Sequence, residues 1–325
     1  MGRFLVRRLI VGAVLLWFVA TLTFVLIHVA PGNPIEVFMD PRIPTEQIER
    51  LEALFGFDQP LHTQYARWLG NAVTAGDWGV SFFHLAPPGE VIRRNLPPTA
   101  LLAVAALLIG YTLGILGGIW TAKRPDSLAD RILRLLSLTV YSVPTFWLGL
   151  MMILLFSGVL GIAPASGIQS PFAEDLPPLR RALDTLAHLA LPALTLGLPI
   201  ATYVARLLRS ALLDTLDQPY IRNARARGLS ETRVLWGHAL RNCLGPLIQA
   251  LGILLPALLG GAYLVEYVFS WPGLGTVSLR AIQSRDYPLV LATTLYTGGL
   301  VILGTLCADL LHAWLDPRVH EIEME

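Results

Sequence analysis

Three arginines, Arg222, Arg225 and Arg227, crowd the residues ahead of Gly228 in the run Tyr220, Ile221, Arg222, Asn223, Ala224, Arg225, Ala226, Arg227, Gly228, Leu229. Guanidinium groups at this spacing on a short helix break no bonds; their chemistry is recognition of a surface. Pro219 can open such a helix, because its missing N–H costs nothing in a first turn, and Gly228 can take the left-handed conformation that closes it. Ser230 can then cap a second helix, with Glu231 near its positive end. The expected form over residues 219–242 is a helix–glycine–helix elbow, a shape suited to a groove on another protein. An ordinary basic loop is the alternative. It would explain the arginines but not the punctuation, so docking is favoured.

No constellation for bond-making accompanies the elbow. Lys123 is the only lysine and stands between Ala122 and Arg124, so no phosphate-binding loop of the G-x-x-x-x-G-K-[ST] type exists. The seven histidines include no H-E-x-x-H pair, no G-x-S-x-G elbow occurs, and Cys243 and Cys307 lack metal-ligand spacing. The chain is expected to be no enzyme and to hold no cofactor or metal. If it moves a solute uphill, a partner supplies the energy.

The elements that carry the elbow are read from apolarity. Hydrophobic residues make up 54% and charged residues 14%, whereas soluble domains usually reach about 25% charged. A mean hydropathy of +0.59 and a formal charge of +1 exclude a disordered chain and a basic nucleic-acid binder. Two cysteines beside apolar runs exclude the disulfide framework of a small secreted domain. An all-α integral membrane protein is left. Six stretches are long and apolar enough to cross a bilayer, over residues 9–30, 98–122, 135–162, 186–205, 243–265 and 289–313. The first follows Arg3, Arg7 and Arg8, yet its apolar run is too long for a cleavable signal and reads as a retained span.

Basic loops resist translocation, which sets the orientation. With the amino terminus inside, 15 of the 24 basic residues fall within 69 cytoplasmic positions and the other 9 within 113 outer positions. Both termini are therefore expected in the cytoplasm, with the elbow between the fourth and fifth spans on the same side. Residues 31–97 form an extracytoplasmic helical insertion after the first span, 98–313 a five-span core, and 314–325 a cytoplasmic tail. In the insertion, Thr45 can cap a helix over 46–55 that Gly56 ends, an amphipathic stretch over 61–75 puts Tyr65, Trp68 and Leu69 on one side, and a short helix is expected over 89–95 before Pro97 and Pro98. A docking platform and a simple lid over the helix ends fit it equally.

Inside the spans, Gly110, Gly114 and Gly118 share one helical face where another backbone can approach closely, a packing signal. Pro144, Pro192, Pro199 and Pro256 each remove a helical hydrogen bond and can bend their spans. Asp309 lies about one turn from the cytoplasmic end, where a structural ion pair is favoured over a part in transport. A proton-coupled carrier would place more carboxylates or histidines near the midplane and is disfavoured. Tyr141, Phe146 and Trp147 are candidate pathway-lining groups, although packing is the commoner fate of such rings.

Beyond these physical readings, the whole chain resembles the membrane subunits of bacterial ATP-binding-cassette importers, in the dipeptide, oligopeptide and nickel permease family. The resemblance rests on the Gly228 elbow; on Pro31, Gly32, Asn33, Pro34; on Pro144, Thr145, Phe146, Trp147, Leu148, Gly149; on Trp271, Pro272, Gly273, Leu274, Gly275; on Arg285, Asp286, Tyr287, Pro288; and on Leu315, Asp316, Pro317, Arg318. In such importers a loop with an E-A-A-x-x-x-G core docks each permease into an ATPase subunit. Here Arg222, Asn223 and Ala224 hold the three leading positions, so the glutamate and one alanine are replaced, and the later I-x-L-P element becomes His238, Ala239, Leu240, Arg241. The resemblance implies that Tyr220, Arg222–Leu229 couple to an ATPase. It also implies a second related permease, two ATPase subunits that bind ATP and magnesium, an extracytoplasmic substrate-binding protein, and location in the bacterial plasma membrane. A di- or oligopeptide is the implied cargo; nickel complexes, glutathione, or a non-conducting scaffold for ATPases are the alternatives.

Overall fold

The computed structural model describes residues 2–30 and 57–315, with side chains over 6–30 and 57–310 apart from 129, 260, 261 and 308. The helix expected over 46–55, the Pro31–Pro34 and Asp316–Arg318 motif residues, and most of the 314–325 tail lie outside them. Among the described residues there is no strand. The helices are α1 (Gly2–Val29), α2 (Leu61–Thr74), α3 (Pro88–Lys123), α4 (Leu128–Ser142), α5 (Thr145–Met152, continued by a π-helical turn at Ile153–Val159) and α6 (Pro178–Leu216). They continue as α7 (Pro219–Ala226), a short rod α8 made of Glu231–Arg233, the π-helical Val234–Ala239 and Leu240–Asn242, then α9 (Leu244–Gly261), α10 (Tyr263–Val268), α11 (Leu274–Gln283) and α12 (Tyr287–Leu315).

Among the described residues, four helices can each cross a bilayer by length and apolarity: α1, α3, α6 and α12 over Tyr287–Cys307. Two further candidates are broken. The third expected span, 135–162, is two helices, Asp130–Ser142 and Thr145–Val159, meeting at 105°. Pro144 causes the break, because it offers no N–H to the preceding helix and holds Val143 in an extended conformation at φ −85°, ψ 130°. In the fifth, Glu231–Asn242 and Leu244–Leu259 meet at 52°. Conversely, the separate short helix expected over 89–95 is continuous with the second span in α3. Pro97 and Pro98 are tolerated there because the carbonyls they leave unpaired belong to Arg93 and Arg94, which are exposed to solvent.

The chain divides into two compact units. One comprises residues 1–97 and 273–300. In it α1 meets α2 through the hydroxyls of Thr21 and Tyr65, 2.7 Å apart, and through the Phe24 ring, whose centroid is 5.2 Å from Tyr65 and 5.8 Å from Trp68. The buried carboxyl of Asp286 caps α12, accepting from Leu289 N at 3.3 Å, and also accepts from Ser81 Oγ at 2.5 Å and Phe83 N at 3.1 Å. One side chain thus ties a helix start to a loop 205 positions earlier in the sequence. Ser81→Ala removes the shortest of these bonds inside a dry site. It is expected to cost about 2 kcal/mol, read as a lowered unfolding temperature of the detergent-solubilised protein.

The second unit comprises residues 98–272 and 301–325. Its centre is the seam between α3 and α6. A Cβ on Gly110 would stand 2.5 Å from Ile200 Cγ2, one on Gly114 2.6 Å from Val204 Cβ, and one on Gly118 3.0 Å from the Ala205 carbonyl. The glycine face therefore lets the two backbones touch, with Gly197 supplying the matching gap on α6. In lipid such a seam is held by van der Waals contact rather than by release of water. Leu102, Ala106, Val204, Leu208 and Leu212 extend it into the buried core. At one end, Trp271 is fully buried and its Nε1 donates to Pro98 O at 2.9 Å, while Thr99 Oγ1 donates to the buried Glu266 at 2.7 Å.

Candidate functional site

The elbow is built from the end of α6 outward. Gln218 is extended at φ −70°, ψ 146°, Pro219 takes the first helical position, and α7 runs to Ala226. Closure follows at Gly228, with φ +79°. Its N–H donates to Arg225 O at 2.9 Å, and Leu229 N–H donates to Ala224 O at 3.4 Å, so the last carbonyls of the helix are occupied. Nothing lies within 4 Å of a Cβ placed on Gly228. The position needs glycine for its backbone angle and not for room.

The second arm departs in detail from the expected cap. Ser230 occupies the capping position, but its side chain makes no capping bond. Glu231 instead accepts from Arg225, Nε to Oε1 at 2.8 Å and Nη2 to Oε2 at 3.2 Å. A carboxylate facing a planar guanidinium gains two charge-assisted bonds, more than a diffuse interaction with a helix end. Both partners are largely in water, so the pair, which bridges the two arms, is worth less than about 1 kcal/mol. Asn242 Nδ2 donates to Tyr220 Oη and closes the far end of the elbow.

The inner face of α7 is apolar and anchored. Ile221 and Ala224 are buried against the core that holds Leu212, Val234, Leu235 and Ala239. Ala224, one of the residues assigned to coupling, therefore faces the protein interior. Arg222, Asn223, Arg225, Ala226, Arg227 and Gly228 are exposed, Tyr220 is 42% exposed, and Leu229 is half-buried. Among the described residues Arg222 and Arg227 have no ion-pair partner. The result is a cationic knob on a stiff hydrophobic stem. Sequence reasoning missed Ile221, although an apolar pair three residues apart in a polar helix is a signal for an inward face.

The three aromatic candidates gather at one place. Tyr141, Phe146 and Trp147 flank the Pro144 bend, and each is exposed on the surface of the chain. The guanidinium carbon of Arg206 sits 4.9 Å from the centre of the Tyr141 ring, a cation–π contact joining α6 to the bend. Near the start of α4, a further group escaped notice in the sequence. Asp130, buried, accepts from Arg209 Nε at 3.1 Å and Nη2 at 2.9 Å, and from the Asp126 N–H at 2.9 Å. Arg134 adds a contact at 3.3 Å. Ser127 and Asp130 have the spacing of a helix start, and Ser127 Oγ does accept from Asp130 N at 3.2 Å. Nothing local points to Arg209, 79 positions later.

Comparison with known proteins agrees along the chain. Residues 114–321 match the family described as binding-protein-dependent transport system inner membrane component, and residues 1–102 match its N-terminal counterpart. The oligopeptide transport system permease protein AppB of Bacillus subtilis is 37% identical over 98% of this chain and 99% of its own length. The di/tripeptide transport system permease protein DppB of Pseudomonas aeruginosa is 39% identical over 97% of this chain and 98% of its own. Among solved structures, the inward-facing MetNI methionine ABC transporter is similar with a TM-score of 0.52 and 20% identity, over 70% of this chain and 96% of that one. At that identity the likeness concerns the fold alone.

Proposed function

The chain belongs to the family of binding-protein-dependent transport system inner membrane components, and from that premise we propose that it is the membrane permease of an ATP-binding-cassette importer for di- or oligopeptides. Relatives named as oligopeptide and di/tripeptide permeases, aligned over nearly their whole length, support the cargo class. The elbow carries the mechanism. A cationic knob on a buried stem, closed by a left-handed glycine, is built to be gripped and moved.

In this reading both broken helix pairs complete spans, giving six, and the basic loops put both termini and the elbow in the cytoplasm. Residues 31–97 form the extracytoplasmic insertion. Two ATPase subunits bind ATP and magnesium; one grips the elbow of this chain and the other that of a second, related permease. An extracytoplasmic binding protein delivers the peptide to a pathway between the permeases. Closure of the ATPases shifts α7, and Ile221 and Ala224 transmit the shift to the ends of α6 and α8. Tyr141, Phe146 and Trp147, exposed around the Pro144 bend, are available to line that pathway.

Gly228→Val tests the elbow. A β-branched residue at φ +79° is strained by about 1–2 kcal/mol, enough to shift the closing turn although space is free. In vesicles reconstituted with all subunits and the binding protein, peptide uptake and peptide-stimulated ATP hydrolysis are expected to fall about tenfold, with membrane insertion unchanged. Normal uptake in the variant would remove the elbow from the coupling path. Absence of any peptide movement with the native chain would leave a scaffold for ATPases.

A further inference from the structure

The elbow is joined to its unit by two roots, α6 before it and α9 after it, and the roots are built differently. α6 runs to Leu216 without a break, and its two internal prolines, Pro192 and Pro199, precede the stretch that meets Gly114 and Gly118 of α3. A Cβ on Gly118 would stand 3.0 Å from the Ala205 carbonyl and 3.0 Å from Leu208 Cβ. Surfaces interlocked this closely resist sliding. One turn further on, Leu212 belongs to the buried cluster that holds Ile221 and Ala224, so the end of α6 and the stem of the elbow form one packed body.

The second root is broken. α8 ends at Asn242, α9 begins at Leu244, and the two meet at 52°. Cys243 between them has φ −90° and ψ 0°, in the sparsely populated bridge region of backbone space. Its sulfur is 3.6 Å from the Thr215 hydroxyl at the end of α6, and Asn242 donates to Tyr220. Both contacts lie on the elbow side of the break. On the far side, among the described residues, a single side-chain hydrogen bond reaches the first turn of α9 from another helix: Tyr111 Oη of α3 donates to Leu247 O at 2.8 Å. Tyr111 follows Gly110 in sequence, so α3 turns its glycines to α6 and the neighbouring side chain to α9. One helix thus holds both roots, the first by a packed seam and the second by a directional bond.

We propose that Cys243 is the hinge of the coupling elbow and that Tyr111 is the positioning residue that latches it, a proposal that rests on the importer reading above. When the ATPases close, α3, the end of α6 and the elbow keep their mutual contacts, and α9 turns against them. The backbone at Cys243 absorbs the change, as residues at element ends do in hinges, and Leu247 draws away from Tyr111. Elbow displacement and ATPase closure favour each other reciprocally. A bond made only before the displacement therefore restrains hydrolysis until loaded binding protein supplies the difference.

Tyr111→Phe keeps the ring and removes the hydroxyl. In vesicles containing the whole importer, ATP hydrolysis without peptide is expected to rise about fivefold, the worth of one hydrogen bond. The concentration of loaded binding protein that half-activates the complex should fall by a similar factor, with hydrolysis at saturation unchanged. Tyr203→Phe is the control: Tyr203 of α6 is half-buried against the same core and makes no hydrogen bond among the described residues, so its change should move neither quantity. A lowered melting temperature with native peptide-free hydrolysis in Tyr111→Phe would overturn the proposal, because the bond would then be structural only. An equal rise in Tyr203→Phe would do the same. Spin labels read the hinge directly, in a chain with Cys307→Ser. His238 and Ile253 are exposed on either side of the break, and labels there are expected to change separation when vanadate traps the closed ATPases, whereas labels at His238 and Ser210 keep theirs. A fixed distance across the break, or a change within the second pair alone, would remove the hinge from Cys243. Peptide uptake by the native chain reports separately on the importer reading: uptake with an inert Tyr111→Phe change defeats the latch alone.

Discussion

Gly114→Leu is expected to give a chain that enters the membrane and fails to form a stable bundle, seen as loss of the monodisperse peak on size-exclusion chromatography in mild detergent. A Cβ at position 114 would lie 2.6 Å from Val204 Cβ, 2.7 Å from Val204 Cγ1 and 2.9 Å from the Ala201 carbonyl. None of these is the loose end of a flexible side chain. The helices must separate, and every contact along the seam is then lost together. Even Gly114→Ala is expected to cost about 1–3 kcal/mol, the usual range for overpacking. Gly117→Ala is the contrast. There the nearest atom to an added Cβ is Ala205 Cβ at 3.7 Å, an ordinary contact, so this change on the same helix should leave the melting temperature where it was. If both alanine variants behave alike, close approach is not what holds α3 to α6.

Asp130→Ala is expected to destabilise the protein by about 3–5 kcal/mol. Its side chain is 0% exposed and Arg209 is 20% exposed, so the truncation leaves a guanidinium in a largely dry site with neither of its two carboxylate bonds. Such a pair need not stabilise the fold against an apolar substitute, since desolvating both charges offsets much of their attraction. The informative result is therefore the order of effects. Asp130→Leu with Arg209→Leu together should be less damaging than Asp130→Ala alone, and a thermal-shift cycle over the variants measures the coupling. Additive losses would mean that the two side chains act independently, against the bidentate geometry.

What the sequence disclosed divides by range. Gly228 was legible because a helix stop followed by a second start is local, and the backbone angle that glycine supplies depends on no distant residue. The stripe Gly110, Gly114, Gly118 announced a close approach but not its partner, since α6 begins 55 positions after α3 ends and nothing in α3 names it. Apolar runs located the spans because they report the solvent. They say little about direction, so Pro144 announced a bend in the third span without giving its size of 105°. The opposite error occurred at Pro97 and Pro98, where two prolines looked like a boundary and the helix continues, the carbonyls they free belonging to the exposed residues Arg93 and Arg94. The inward turn of Ala224 and the Asp130–Arg209 pair depend on which elements are neighbours, a property of the folded unit.

The α3–α6 seam also sets a schedule for synthesis. A ribosome adds about 5–20 residues per second, so α6 is delivered several seconds after α3 has been completed. During that interval the glycine face of α3 has no complement, and lipid chains fill a groove shaped for a helix backbone. α3 can wait in the bilayer because it is strongly apolar, whereas α6 is the least apolar of the four long spans and carries Pro192 and Pro199. Its entry is best supported by a helix already in place. The seam is thus a docking berth that the nascent chain builds for its own later segment, and slowing translation between the two helices would lengthen the time that berth stands open to the wrong occupant.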